Sequence, residues 1–446
     1  MLSELKSTII THSFYRRKCM LWLYIAAPIA AVAIILAVTY LALAAHKQCG
    51  DPPERIENAA GFIKAHGTSL YDGEGKLFRL RGVNLGNWLL QEHWMAVSAC
   101  KGFDTGLYTQ KRGMAALRSN PKITPEQADG LEALYADTYI QERDFERIAA
   151  LGLNAVRVVF SYLTLTTDGE HYRDEPFKYL DFAIEMCKKY GLYAVLDLHG
   201  AIGSQNQDIH SGDDSQFDLY KNARNTELTC KLWRDIASRY KNEKTVAAYD
   251  LLNEPRRKAH RFGGKINFEF YDKLYKAVRE VDSEHLIMIE CFSFPINGGK
   301  IKKYGWKNVC MEYHIYNLTP FSQLTCLRFY NALHNLSGNK APVYIGEWNA
   351  FVKKKEWYDS IEYFDKLGWS YSSWTYKTNA HYYKSHKWRK NWGVFELDMP
   401  AAELYTADYA EIEKTYASVG TENARPSVVY DVYSELFGSE TNKSSD

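Results

Sequence analysis

The stretch AAYDLLNEPRRK, residues 247–258, passes from apolar residues into Asn253, Glu254 and Pro255. Its first half has the composition of a buried strand, and the proline keeps the ladder from continuing, so the Glu254 carboxylate is carried at the tip of rigid backbone. A second tip of this kind ends YIGEWN, 344–349, with Glu347. Two carboxylates aimed across one cleft are what glycoside hydrolysis requires: one protonates the leaving oxygen and the other attacks the sugar or activates water. A neighbouring negative charge keeps one of them protonated, while cationic and hydroxyl partners hold the other ionised.

Other apolar runs end in groups suited to the same chemistry. These are Asn84 with Trp88 and Glu92 just beyond it, Arg157, His199, His314 with Tyr316, and Trp374. Taken singly, each has a plain structural reading: a solvated glutamate, a hydrogen-bonded histidine, a core tryptophan. Their joint placement at the ends of apolar runs carries the weight. Arg157 and Tyr316 are candidates to hold a nucleophilic carboxylate, and His199 and His314 to orient the acid or bind sugar hydroxyls. Asn253 is placed to bond the sugar 2-hydroxyl, and Trp374 to form an apolar floor under the ring. This chemistry calls for no metal and no cofactor, and the chain has no CxxC pair and no His-rich run to suggest zinc.

The elements that must position these groups are legible as alternating short apolar runs and longer amphipathic stretches. The strand candidates are 80–85, 154–160, 193–198, 246–252, 286–290, 309–313, 343–346 and 369–374. Helices are expected at 124–151, 176–190, 226–240, 267–281, 322–336, 355–367 and 426–437. Eight strands with intervening helices, and no Gly-rich dinucleotide fingerprint after the first, predict an α/β fold of the (β/α)8 TIM-barrel type, whose chemistry is built at the C-terminal strand ends. Strand one is followed by roughly forty residues before the first expected helix, and strand three by a polar loop reaching about Asn225. Both are long enough to wall in a site.

Ahead of this domain the chain reads differently. Residues 19–45 form a run without a charged side chain, long enough to cross a hydrocarbon core of ~30 Å, and Arg16, Arg17 and Lys18 precede it. The expected organisation is a cytoplasmic basic segment at 1–18, a single transmembrane signal anchor at 19–45, a linker at 46–60, a catalytic domain at 61–438 on the extracellular side, and a disordered tail at 439–446. A cleaved signal peptide, giving a secreted protein, is the alternative. The net charge of +1 with dispersed Lys and Arg gives no footprint for nucleic acid. Seven cysteines beyond the anchor are an odd number, so at least one is unpaired or bonds another chain.

The ordered set AVRVVF, LDLHG, YDLLNEP, EYHIY, YIGEWN and SYSSWTYK resembles the motifs of family 5 of the glycoside hydrolases, retaining β-glycosidases on a (β/α)8 barrel. The resemblance runs from about Leu70 to Phe437 and implies Glu254 as general acid/base and Glu347 as nucleophile. Arg157, His199, Asn253, His314, Tyr316 and Trp374 match the family's other characteristic positions. RGVNLGNWLLQEHWM and HGAIGSQNQDIHSG are similar to segments of its exo-β-1,3-glucanase and β-glucosidase branch, in which the position of Glu92 binds the terminal sugar. Ile202 stands where that branch usually has proline, and Asp208-Ile209 where a Phe-Asp pair is common. The expected partner is a β-linked oligosaccharide or polysaccharide, cleaved from its end. The alternatives are an endo-β-glucanase or mannanase, a glycolipid β-glucosidase reached through the membrane anchor, and a tethered sugar-binding protein without catalysis.

Overall fold

The computed structural model describes residues 52–438 apart from 58, 102–107, 256–267, 292–299, 318–321, 339, 352 and 384–389. The expected anchor at 19–45, the basic segment before it and the tail at 439–446 lie outside the described residues. Among the described residues no helix is long and apolar enough to cross a membrane.

Eight parallel strands close into a barrel: β1 (Arg81–Asn84), β2 (Ala155–Ser161), β3 (Tyr193–Gly200), β4 (Val246–Asp250), β5 (Leu286–Glu290), β6 (Val309–Tyr316), β7 (Val343–Asn349) and β8 (Ser370–Ser373). β2 to β8 are nearly continuous apolar or small-residue runs because barrel strands are covered on both faces, inward by one another and outward by helices. Each expected strand is present. β3, β6 and β7 extend two or three residues further toward their C-terminal ends than their apolar runs, so His199, His314, Tyr316 and Glu347 are held within strands.

The helix expected at 124–151 is two helices, Pro125–Tyr139 and Glu142–Ala150. Thr124 and Gln127 form a capping box on the first, with Pro125 at its opening position. Gln141 breaks the run in extended conformation, and its backbone N–H donates to Asp144 Oδ2 at 2.8 Å, capping the second. The connection after β1 is also more ordered than expected. It contains a helix, Gln110–Arg118, capped by Thr109, and a short strand, Ser98–Ala99, paired in parallel with Ala402–Glu403.

Before β1, the antiparallel strands Lys64–His66, Ser69–Tyr71 and Leu77–Phe78 form a small sheet. Ile63 and Leu70 from this segment join Leu80, Ala155, Val195, Ala248, Leu286, Met288 and Tyr344 in one apolar cluster, which plugs the N-terminal end of the barrel. No signal in the sequence reading pointed to this plug.

Candidate active site

At the opposite end, β4 and β7 bring Glu254 and Glu347 together. A carboxylate oxygen of each and a ring nitrogen of His314 lie within 4.8 Å of one another. Glu254 follows β4 in the left-handed backbone region, φ 41°, a strained conformation for a side-chain-bearing residue. It is clamped there: its backbone N–H donates to the Glu290 carboxyl from β5, and its carbonyl accepts from Asn206 Nδ2 at 3.0 Å.

The two glutamates have unlike partners. Glu347 Oε1 receives Arg157 Nη1 at 3.2 Å, and Oε2 receives the Tyr316 hydroxyl at 2.7 Å. Glu254 Oε1 faces His314 Nδ1 at 3.0 Å, and Oε2 faces His210 Nε2 at 3.1 Å. One carboxylate is thus held by a permanent cation and a hydroxyl donor, the other by two imidazoles. The first set stabilises charge and the second can accommodate a proton. Glu254, His314 and Glu347 are also the groups here that could reach one cation together.

Arg157 is fully buried and radiates donors through the barrel: Nε to Asp250 Oδ2 at 2.8 Å, Nη1 to Asn84 Oδ1 at 3.1 Å, and Nη2 to Asn253 Oδ1 at 3.0 Å, with Asp197 Oδ1 at 3.2 Å. Burial, together with the crowding of like charges, raises the carboxyls of Asp250, Glu290 and Glu312 above the ordinary carboxylate range. Asp197 is pushed up to about 7, chiefly by burial, against the pull of Arg157. His199 and His314 are both pushed down to about 3, again chiefly by burial, so each is neutral at ordinary pH. Burial likewise lifts the Tyr316 phenol, which stays a neutral donor to Glu347. β7 makes room for this charge cluster with Gly346, where an added Cβ would meet Glu312 Oε1 at 1.6 Å.

A cavity of about 300 Å³ opens above the pair, lined by Glu92, Trp94, His199, His210, Asn253, Glu254, Tyr316, Glu347, Trp374 and Trp392. Trp374 lies on its floor, stacked on the His199 ring with centroids 5.4 Å apart and planes 16° from parallel. His199 is fixed in turn by Asp197 Oδ2, 2.7 Å from Nδ1. Among the described residues, the buried Asn253 Nδ2 has no hydrogen-bond partner, which makes it a donor available to a ligand. Glu92 accepts the Trp94 indole N–H at 2.9 Å. Its carboxyl is pushed up to about 8, mainly by burial, with the charges of Glu347, Glu254 and Asp208 adding.

Of the residues singled out in the sequence, Glu92, Arg157, His199, Asn253, Glu254, His314, Tyr316, Glu347 and Trp374 converge on this one place. Asn84 stands beneath it: its Nδ2 donates to the Gly346 carbonyl at 2.8 Å, and its Oδ1 orients Arg157. Trp88 does not belong to the site. It is 2% exposed, edge-on to Tyr179 and Phe182, and its indole N–H donates to the Ala136 carbonyl at 2.8 Å. Asn87, at φ 61°, turns the chain just before it, and a large indole whose one N–H meets a backbone carbonyl is at home in a core.

The sequence reading missed Trp94 and Trp392, which meet across the cavity at 4.6 Å between ring centroids, and His210 on the loop after β3. The signal for His210 was present in QDIHSG, the segment where the chain departs from the branch it resembles. Trp392 lies far from any strand tip and carries no positional signal.

The profile of the cellulase family, glycosyl hydrolase family 5, matches residues 119–380. The chain belongs to glycosyl hydrolase family 5. Among relatives, this family 5 chain is similar to the beta-xylosidase of Phanerodontia chrysosporium, with 27% identity over 267 residues, 58% of this chain and 53% of that one. It is also similar to the probable glucan 1,3-beta-glucosidase A of Neosartorya fischeri, with 28% identity over 291 residues, 61% and 65% of the two chains. The chain spans between about half and two thirds of the length of these curated relatives. In fold it is similar to the rutinosidase from Aspergillus niger, with a TM-score of 0.55 at 15% identity, covering 76% of this chain and 98% of that one.

Proposed function

We propose that this family 5 member is a retaining β-glycosidase that removes glucosyl units from the ends of β-glucans or related oligosaccharides. The observation that carries the reading is the close approach of Glu254 and Glu347, with oxygens within 4.8 Å. Inverting enzymes separate their carboxyls by ~6.5–9.5 Å to admit a water, and retaining ones by ~5–5.5 Å. Glu347, held by Arg157 and Tyr316, attacks the anomeric carbon while Glu254 gives its proton to the leaving oxygen. Glu254 then takes a proton from the water that releases the sugar, so the β-configuration is retained. Asn253 Nδ2 meets the 2-hydroxyl, a contact that strengthens as the transition state forms. Trp374 lies under the ring, and Glu92, protonated below about pH 8, donates to a hydroxyl of the terminal unit.

End-directed action is supported by the small cavity and by walls from three connections, with Glu92 and Trp94 from the β1 loop, His210 from the β3 loop and Trp392 beyond β8. The relatives named as glucan 1,3-beta-glucosidases point the same way for the glycan. The test is mass analysis of products from β-1,3-, β-1,4- and β-1,6-linked gluco-oligosaccharides and β-1,4-manno-oligosaccharides, with Glu347→Gln as control. Release of single glucose units, absent in the variant, is the expected outcome. Internal fragments would replace the reading by an endo-glucanase or mannanase. Turnover confined to glycolipids would make the natural substrate a glucosylated lipid.

The uncharged run at 19–45, with Arg16, Arg17 and Lys18 before it, is proposed to tether the domain to the outer face of the cell membrane. Membrane association that survives an alkaline carbonate wash and is lost on deleting 1–45 is expected. A fully soluble full-length chain would remove the tether from the reading.

A further inference from the structure

Glu254, after β4, and Glu347, in β7, are separated around the barrel by β5 and β6 on one side and by β3, β2, β1 and β8 on the other. In a double displacement the acid stands beside the leaving oxygen, so the leaving group lies toward Glu254 and the transferred sugar extends away from it. The floor for that sugar is Trp374, just beyond β8, and Glu92 reaches it from the connection after β1. A glycan cut internally would continue past this unit over the same arc, β8 and β1. Two indoles stand there: Trp94, two residues after Glu92, and Trp392, from the connection beyond β8.

These indoles touch each other and leave no slot between them. Their ring centroids are 4.6 Å apart, with planes tilted by 55°. A sugar held between two aromatic faces needs them about 7–8 Å apart, two contact distances of ~3.5–4.0 Å. Both pack on the cluster of Leu90, Met95, Val159 and Trp374. Trp392 is fixed further by the Phe351 ring, edge-on at 4.8 Å, and by the Tyr316 ring at 5.7 Å. Its carbonyl accepts the Thr375 N–H at 2.6 Å and Asn349 Nδ2 at 3.2 Å. The same Asn349 Nδ2 donates to the Trp374 carbonyl at 2.7 Å, so one side chain ties this wall to the floor. Trp94 is tied down in its turn by its indole N–H, which donates to Glu92 Oε2 at 2.9 Å.

We propose that Trp392, braced against Trp94, limits the transferred group to one sugar by filling the place that a second glycone unit would take. The proposal rests on the end-directed reading above and names the side chain responsible for it. The substrate class that follows is a β-glucan or oligosaccharide end whose terminal unit carries no further sugar, with the chain on the leaving side left free by this pair. Trp392 acts through its volume alone: it makes no bond to the substrate and moves no proton. An indole that served only the core would be enclosed as Trp88 is, whereas Trp392 is half-buried and faces the cavity.

The experiment compares wild type with Trp392→Ala and Trp392→Leu on 4-nitrophenyl β-glucoside and on the 4-nitrophenyl β-glycosides of β-1,3-, β-1,4- and β-1,6-linked diglucosides. Mass analysis of the first products separates release of an intact disaccharide, which needs room for two glycone units, from stepwise removal of glucose. Wild type should release only glucose. In Trp392→Ala the disaccharide appears, and its kcat/KM relative to that of the monoglucoside rises at least about tenfold, with Trp392→Leu between. A second readout needs no turnover: calorimetric binding of a glucose-configured iminosugar and of the same compound extended by one β-glucosyl unit on the glycone side. Wild type should prefer the single unit, and Trp392→Ala should lose that preference by at least about tenfold. If both substrates lose rate alike and the preference stays, Trp392 only holds the fold, and the inference falls while the end-directed reading stands. If wild type itself releases the disaccharide, the end-directed reading falls together with the inference. If wild type cleaves none of these glycosides, the iminosugar comparison still decides whether Trp392 closes the pocket.

Discussion

At the N-terminal end of the barrel, Ile63 and Leu70 lie against Ala155, Val195, Ala248, Leu286 and Met288, with little but hydrocarbon between them. At the C-terminal end, Asp197, Asp250, Glu254, Glu290, Glu312 and Glu347 are buried around Arg157. There, Asn253 Nδ2, Glu290 Oε1, both Glu312 oxygens and His314 Nε2 have no hydrogen-bond partner among the described residues. The first end is the arrangement a folding chain prefers. The second crowds like charges out of water and holds Glu254 at positive φ, which is unfavourable unless the rest of the domain enforces it. Stability and chemistry are thus drawn from opposite ends of the same eight strands, and a substitution at one end should leave the other's property intact.

Glu347→Gln should break that balance most on the chemical side. Loss of the nucleophile is expected to lower kcat by about 10⁴-fold or more. Melting temperature should hold or rise, because one of the acids crowded around Arg157 has become neutral. A stability loss comparable to a core truncation would show that the charge cluster also holds the barrel together.

Leu70→Ala is the counterpart. Leu70 is 2% exposed in the plug, and its truncation should lower unfolding free energy by about 2–5 kcal/mol. KM and kcat measured well below the new melting point should stay near wild type. A large fall in kcat would mean that the plug sets the register of the site from the far end of the barrel.

Glu92 sharpens the comparison through pH. Its carboxyl, pushed up to about 8 chiefly by burial, binds a proton in the folded chain that the unfolded chain releases near the ordinary value of 4.5. Stability from this group is complete below the unfolded value and is lost as pH rises toward 8. In Glu92→Gln that dependence disappears. The variant should match wild type near pH 4.5 and exceed it by about 2 kcal/mol at pH 6, read from denaturant unfolding at each pH. A gap that does not grow with pH would mean Glu92 is ionised when folded.

The barrel and most of the site were legible because two periodicities coincide in barrel strands. An apolar run marks the strand, and the first polar residues after it mark the mouth, which is how His199, Asn253, Glu254, His314 and Glu347 could be found from spacing; Arg157 is the exception, the third residue of β2. That logic stops where the backbone leaves the strand. The turn at Asn87 comes before both Trp88 and Glu92, four residues further on, and nothing in GNWLLQEHW says which of the two faces the sugar. His210 and Trp392 are brought in by long connections, where distance along the chain says little about distance in space. The break at Gln141 was hidden because Gln and Asp are ordinary helix-surface residues until one caps the other.

The two tryptophans that look alike in sequence give the finest test. Trp88 is enclosed by Tyr179 and Phe182 and satisfies the Ala136 carbonyl, so Trp88→Phe should cost about 1–2 kcal/mol of stability through lost packing and an unpaired carbonyl. Its effect on KM should be within about twofold of none. Trp374→Phe keeps an aromatic surface on His199 but shrinks the cavity floor, so KM for oligosaccharides should rise about tenfold, with a smaller loss of stability than for Trp88→Phe. Measuring both constants on both variants decides the matter. If the two substitutions exchange effects, Trp88 reaches the sugar in solution, and the division between the ends of the barrel is less sharp than the charge and packing of its strands imply.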